Sequence, residues 1–336
     1  MDRIARYSGL KNRSRQVQQY LQGISDTDKQ ASRLSFDLKT CANYLLFHDY
    51  YTADQIRLVK ARTCKKSLLC PFCAARRAAK LVDKYLPVVD SVIASNPALK
   101  PVMITLTVKN GSDLGERYRH LKSAYTALQQ RRRDYLKGQL WTEFAKVHGA
   151  IHSFEFTRSD TGWHPHIHMV ALVSDWIDQK ALASEWQALT GDSYSVDVRR
   201  ISTQDGSLAL GMLEVFKYSL KFSDLDLPDT WLAYQVLNRK RLLGSFGNLR
   251  GVQPPENLLD DPLEDLPYME LLYTFRPASA AYELKTIRRC DAGEAVDCTT
   301  GEVSPLPPVY PIPDPPVAHT SPAAGERIGA RAPCRR

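Results

Sequence analysis

The chain has 336 residues, of which 43% are hydrophobic and 24% are charged, and its formal net charge is +8. This length predicts two or three domains with hydrophobic cores, and the composition excludes collagen-like, disulfide-scaffold and wholly disordered classes. Because no run reaches about 18 apolar residues and no apolar segment follows Met1, we expect a cytoplasmic protein without a membrane span.

The N-terminal part, residues 1–85, is strongly basic. It carries a net charge of +10, against +2 for residues 86–223 and −4 for residues 224–336. This asymmetry predicts contact with a polyanion, and nucleic acid is the first candidate. A solvated charged face is the alternative that charge alone leaves open.

Cysteines cluster in the same basic part, where Cys70 and Cys73 form a CxxC motif and Cys64 lies just upstream. Two thiolates at this spacing reach one tetrahedral ion, so we predict a structural zinc site with Cys64 and the more distant Cys41 as third and fourth ligands. Buried thiols without metal are the alternative. A redox role is disfavoured because no βαβ pattern surrounds the motif.

Periodic segments follow in chain order. Residues 8–33 look polar and partly helical, and 74–96 look helical. Beyond them the pattern predicts strands at 102–108, 150–157, 164–173 and 194–198, and helices at 113–138, 178–189 and 208–222. The order β-α-β-β-α-β predicts an α+β fold, a split βαβ (ferredoxin-like) antiparallel sheet with helices on one face. The small cysteine-rich zinc module precedes it.

The C-terminal part differs from the rest of the chain in composition. Two further strands are predicted at 239–249 and 270–275, with an acidic loop between them. Nine of the twenty prolines fall at 304–336, which predicts an extended or disordered tail. We therefore divide the chain into a basic segment (1–85) predicted to contact nucleic acid, a central domain (98–280) and a tail (281–336).

One predicted strand carries alternating histidines, His164, His166 and His168. Side chains two apart share a face of a strand, so these imidazoles can converge on one divalent ion. The preceding strand contains Glu155, which an antiparallel hairpin turning near Asp160 places opposite the histidines. A carboxylate there can serve as a third ligand.

A second constellation lies on the predicted helix 208–222. Glu214 and Tyr218 are four residues apart and share a face, and Lys221 follows one turn later. A tyrosine hydroxyl near a cation and a metal can attack a phosphodiester, and a carboxylate one turn away can activate water or accept the phenolic proton. A tyrosine that only packs is the alternative.

Three segments in order resemble the motifs of HUH endonucleases: 105–107 (TLT), 166–168 (HIH) and 218–221 (YSLK). The chain more narrowly resembles plasmid rolling-circle replication initiators with a single catalytic tyrosine, because the cysteine block 64–77 is similar to their N-terminal segment. The likeness covers roughly residues 36–252.

The resemblance implies Mg²⁺ or Mn²⁺ on His166 and His168, with Glu155 as third ligand and His164 as the alternative. It implies that Tyr218 is the nucleophile of a DNA-nicking and joining enzyme, which leaves a 5′-phosphotyrosyl link and a free 3′-OH. We assign Glu214 to termination and Lys221 to charge neutralisation at phosphorus. The expected partners are origin DNA, as duplex and single strand, together with a host helicase and a polymerase.

Three other readings remain open from the sequence. A single-strand transposase or a relaxase would share the metal and the tyrosine. A non-enzymatic, zinc-containing nucleic-acid-binding regulator would form no covalent DNA product. A zinc hydrolase that uses His164, His166 and His168 would leave Tyr218 as a bystander.

Overall fold

A computed structural model describes residues 3–139, 141–204, 206–217, 225–264, 266–291, 294–297 and 303–305. The chain forms two compact units. The first contains residues 1–41 and 63–258, and the second contains residues 42–62 and the chain from 259 onward.

The first unit contains a five-stranded antiparallel sheet with helices around it. Its helices are α1 (Arg3–Gly23), α2 (Lys29–Thr40), α3 (Pro71–Ser95), α4 (Leu114–Tyr135), α5 (Gln179–Thr190), α6 (Ser207–Phe216) and α7 (Leu227–Leu237). Strands β1 (Tyr44–Tyr50) and β2 (Gln55–Lys60) belong to the second unit. The strands of this sheet are β3 (Lys100–Thr107), β4 (Val147–Ser159), β5 (Gly162–Val173), β6 (Val196–Arg200) and β7 (Leu243–Gly247). Their spatial order is β6-β3-β5-β4-β7, and every neighbouring pair is antiparallel.

Helices cover both faces of this sheet, which corrects the prediction that they lie on one face. On one face, Met169 and Ala171 pack in the core that α4 and α5 share. On the other, Val170 and Leu172 pack against α3 and α6. The physical reason lies in the run 169–173, in which every residue is buried rather than every second one. An unbroken apolar run is typical of a strand covered on both sides.

The N-terminal residues form two full helices where the sequence predicts one polar, partly helical segment at 8–33. Asp28 caps α2, because its carboxylate accepts hydrogen bonds from the backbone N–H groups of Gln30 and Ala31. Leu21 and Leu38 pack with Trp231 of α7 in a small core of their own. Helix α7 was not predicted from the sequence.

The second unit is a six-stranded sheet. Its strands are β1 (Tyr44–Tyr50), β2 (Gln55–Lys60), β8 (Tyr268–Arg276), β9 (Ala281–Asp291), β10 (Glu294–Asp297) and β11 (Val303–Pro305), in the order β11-β10-β9-β8-β1-β2. Strand β8 pairs with β9 from Tyr268↔Cys290 to Arg276↔Ala281. Residue 281 therefore begins a paired strand, at the point where the sequence predicts the start of the tail. The residues from 306 onward lie outside the described residues.

No helix in the described part of the chain is both long enough and apolar enough to cross a membrane.

Candidate active site

The hairpin of β4 and β5 brings Glu155 opposite the histidine strand. The register pairs Glu155 with His166, and the neighbouring pair on the same face is Ser153 with His168. Because successive side chains of a strand point to opposite faces, Phe154 and Ile167 turn into the core while the polar groups share the other face. This pairing is the one that the hairpin predicts from the sequence.

Two histidines and one carboxylate meet on that face. Glu155 Oε2 lies 2.8 Å from His168 Nε2, and their side chains are 5% and 16% exposed. The rings of His166 and His168 are 5.4 Å apart between centroids. One ligand atom from each of the three residues lies within 4.8 Å of the others.

The donor set of this cluster fits a divalent cation. Two neutral imidazoles and one carboxylate are ligands that first-row divalent metals and Mg²⁺ accept, and the partial exposure of the histidines leaves room for an oxygen of a substrate. His164 is not part of this cluster. It pairs with Thr157, two residues nearer the turn of the hairpin than the pair of Glu155 and His166. Its Nε2 shares a hydrogen bond with Ser159 Oγ.

Thr105 positions the ring of His168. It is the cross-strand partner of His168 on β3, and its hydroxyl lies 3.3 Å from His168 Nδ1. A hydrogen bond to the second ring nitrogen fixes the tautomer and orientation of a ligating histidine. From the sequence, Thr105 belongs to the first of the three motifs, 105–107, but its contact with His168 was not predicted; its alternation on the predicted strand 102–108 was the available signal.

Helix α6 packs on the same face of the sheet as the histidines. Its residues Val215 and Phe216 share a core with Val170, which lies two residues beyond His168 on β5. Glu214, on this helix, lies 3.3 Å from the ammonium of Lys217, and both side chains are substantially exposed. Tyr218 and Lys221, the predicted nucleophile and its cation, lie outside the described residues, as does the end of the predicted helix 208–222.

A basic cavity adjoins α6 on this face. It is lined by Ser153 and Phe216, and the charged residues in the described part of its lining are all cationic: Arg77, Lys217, Arg239, Lys240 and Arg241. Burial lowers the pKa of Arg77, whose guanidinium is within hydrogen-bond distance of Ser67 Oγ. A cavity with this charge suits the phosphates of a nucleic acid backbone. The basic run 239–241 was not predicted as part of a site, because in the sequence it begins the predicted strand 239–249.

The four predicted zinc ligands also come together. Cys41 Sγ lies 3.7 Å from Cys70 Sγ and 3.5 Å from Cys73 Sγ, and Cys64 Sγ lies 3.6 Å from Cys73 Sγ. Cys41 ends α2, while Cys70 caps the N-terminus of α3 and Cys73 lies in its first turn. Four sulfur atoms within 4.8 Å of one another match a tetrahedral Cys₄ site.

The surroundings of the cysteines favour a thiolate at one of them. Hydrogen bonds from the Cys41, Cys64 and Cys73 thiols hold the pKa of Cys70 well below its usual value, and the Ser14 hydroxyl also contributes. The N-terminus of α3 adds a favourable dipole for negative charge at this point. Arg76, which lies in the same helix, is buried and donates a hydrogen bond to the carbonyl of Leu258, so its role is structural.

Comparison with known proteins decides the family. A family model described as "Replication protein" (Rep_1) matches residues 55–270, which is more than half of the chain. The chain belongs to this family. Its membership confirms the resemblance to plasmid rolling-circle replication initiators, and it favours that reading over a transposase or a relaxase.

Curated relatives in this family carry the name "Protein rep". One from Streptococcus pneumoniae serotype 2 is 28% identical over 249 residues, which cover 69% of this chain and 74% of the relative. One from Lactiplantibacillus plantarum is 25% identical, covering 57% and 63% respectively, and one from Lentilactobacillus hilgardii is 27% identical, covering 62% and 67%. No solved structure matches the chain.

Proposed function

We propose that this replication protein starts rolling-circle replication of a plasmid by nicking one strand of the origin with Tyr218. The phenolic oxygen forms a bond to phosphorus, the bond from phosphorus to the 3′ oxygen breaks, and the proton lost by Tyr218 is balanced by the proton gained at the 3′-OH. The products are a 5′-phosphotyrosyl link and a primer end that a polymerase extends.

The cluster of Glu155, His166 and His168 is the observation that carries this proposal. Its donor atoms lie within 4.8 Å of one another on the sheet face against which α6, the helix before Tyr218, also packs. A bound Mg²⁺ or Mn²⁺ would supply Lewis-acid polarisation of the phosphate at this point. Thr105 and Glu155 hold His168 in a fixed orientation from two sides.

The basic cavity beside α6 supports a role in holding the strand. Arg239 and Lys240 place cations near the end of α6, where Lys217 also lies. Cations at this position bind the phosphates that flank the scissile one and offset charge on the pentavalent phosphorus, together with Lys221. Glu214 would then activate water, or position a second attack, when the round ends.

Outside the nicking centre, we assign Zn²⁺ to the four cysteines as a structural ion that joins the end of α2 to the start of α3. The basic segment 1–85 would hold duplex origin DNA, while a host helicase unwinds the strand. The strand order β6-β3-β5-β4 supports the split βαβ arrangement within the larger sheet.

The test is covalent capture of DNA. The protein is incubated with labelled single-stranded DNA from its own origin and Mn²⁺, then analysed under denaturing conditions. Wild type should give a denaturant-resistant adduct, Tyr218→Phe should give none, and Tyr51→Phe, a change at an exposed tyrosine, should behave as wild type.

The other outcomes identify the alternatives. An adduct that persists in Tyr218→Phe would assign the nucleophile to another residue. DNA binding without any adduct in wild type would favour the non-enzymatic regulator. Hydrolysis without an adduct, lost in His166→Ala but retained in Tyr218→Phe, would favour the metal-dependent hydrolase.

A further inference from the structure

A second basic cavity lies at the edge of the same sheet, beside strand β7. Its volume is about 360 Å³, within the size range of ligand sites. The charged residues in its lining are all cationic: Lys122, Arg132, Arg133, Arg241 and Arg250. The rest of the lining comes mainly from β7 and from His152 of β4.

This cavity lies on the opposite face from the candidate metal cluster. His152 precedes Ser153 on β4, so their side chains point to opposite faces. The ring of His152 lies 4.8 Å from that of Tyr125 on α4, and 6.3 Å from that of Phe246 on β7. The cavity is therefore bounded by α4 and β7, whereas Glu155 and the histidines share their face with α6.

In the described part of the chain, no carboxylate lies within ion-pair distance of the five cations around the cavity. Arg132 donates to the carbonyls of Val147 and His148, and Arg133 donates to Gln130. Burial lowers the pKa of Lys122, and the like charge of Arg241 lowers it further. Like charges at close range are unfavourable, so this arrangement gains stability from an anion between them.

His152 adds a buried polar group to the cavity wall. It is 8% exposed, and its Nδ1 is buried without a hydrogen-bond partner. Burial lowers its pKa to about 3, with contributions from Lys122 and Arg241, so the ring is neutral at pH 7. A buried ring nitrogen without a hydrogen-bond partner is unfavourable. This neutral ring forms one wall of the cavity, while the charges around it are those of Lys122 and Arg241.

The strand opposite His152 leaves room for this ring. Gly244 is its cross-strand partner, and a Cβ there would meet the Cε1 of His152 at 2.8 Å. Only glycine fits beside the imidazole without a shift of the ring. The cavity is thus shaped by its backbone as well as by its charges.

Arg241 connects the two cavities. It lines this cavity and also the basic cavity beside α6. Strand β7 is the outermost strand on this side of the sheet, so cations continue from one face over the sheet edge to the other. Such a continuous path fits a flexible chain of phosphates better than a single small anion.

We propose that this cavity is a second phosphate-binding site, which holds the phosphodiester backbone of the single strand after it passes over the edge at β7. The inference rests on the proposed function in requiring that single-stranded DNA binds near the metal cluster. A bound backbone phosphate lies against His152 and neutralises the cations that line the cavity. A long strand therefore contacts both faces, while a short one contacts only the face with the metal cluster.

The test compares short and long oligothymidylates, without divalent metal, by fluorescence anisotropy at several salt concentrations. The variant is Arg133→Gln/Arg250→Gln, which removes two exposed cations, and the matched control is Lys180→Gln/Lys285→Gln, which removes two exposed cations elsewhere. We expect the long oligomer to bind the variant about five- to tenfold more weakly and its salt slope to fall by roughly 1.4, at about 0.7 per phosphate lost. Binding of the short oligomer and of the control should match wild type.

Equal affinity and equal salt slope for variant and control on the long oligomer would overturn the proposal. So would a site for free phosphate, seen as thermal stabilisation of wild type but not of the variant by inorganic phosphate or thymidine triphosphate, with oligomer binding unchanged. The covalent capture assay on the same wild-type preparation separates the two proposals. An adduct together with an unchanged variant refutes only the second site, and no adduct refutes the nicking function itself.

Discussion

The Glu155 carboxylate contacts Nε2 of His168, and the Thr105 hydroxyl contacts Nδ1 on the other side of the same ring. A ligand fixed in this way loses little freedom when an ion binds, which favours affinity and a single geometry. From the sequence, Glu155 and His164 were alternatives for the third ligand, because the resemblance implies Glu155 but an extra histidine shares the face of His166 and His168. The distance between donor atoms separates them, since His164 lies beyond the reach of the cluster.

The ligand assignment gives the first residue-scale prediction. Glu155→Gln should weaken Mn²⁺ binding by at least about tenfold, because the amide keeps the shape of the carboxylate but not its charge. Isothermal titration with Mn²⁺ measures this. His164→Gln is the matched control and should bind as wild type; if it loses Mn²⁺ while Glu155→Gln retains it, the assignment is reversed.

Glu214 gives the second prediction at the scale of single residues. Because we propose that this carboxylate acts when the round ends, Glu214→Ala should still form the covalent adduct but release it more slowly. A time course of adduct formation and release on origin DNA measures both steps, with Glu256→Ala, a change at another exposed carboxylate, as the control. Complete loss of nicking would instead make Glu214 the base that accepts the proton of Tyr218.

At the scale of elements, the cysteine cluster depends on two helix ends. Cys70 and Cys73 come from the start of α3, and their spacing alone predicts that they meet. Cys41 comes from the end of α2, and its position is decided by the packing of α1 and α2 with α7. The most distant ligand in the sequence is thus the one that only the tertiary structure brings into place.

This geometry predicts the effect of removing one ligand. Cys41→Ser should reduce bound zinc well below one equivalent and lower the Tm by roughly 5–10 °C, because the proposed ion would link two helices of the core. Zinc content by elemental analysis and thermal unfolding measure the two effects. Cys290→Ser changes a buried cysteine of the second unit and should retain the zinc; equal zinc in both variants would argue for plain buried thiols.

At the scale of the whole molecule, the net charge of each chain segment does not show where cations gather in the folded protein. Residues 86–223 carry a net charge of only +2 and residues 224–336 a net charge of −4. Nevertheless Lys122 and Arg132 from the first and Arg241 from the second line one cavity without a carboxylate. Folding sorts charges in space, and the sum over a segment does not report that sorting.

The sequence by itself determined the hairpin, the alternation that places His166 and His168 on one face, and the CxxC pair at the start of a helix. These features are local, since they follow from a period of two residues or from a spacing of three. It did not predict β1, β2 or α7, whose short segments pack through contacts far apart in the chain.

Only the tertiary structure decided that helices cover both faces of the sheet, that Thr105 supports His168, and that Cys41 completes the cysteine cluster. It also decided that cations of α4 and of the residues on either side of β7 line one cavity together with His152. Each of these depends on which surfaces meet after the chain has folded. Local periodicity fixes the direction of a side chain within its element, but packing between elements chooses its neighbours.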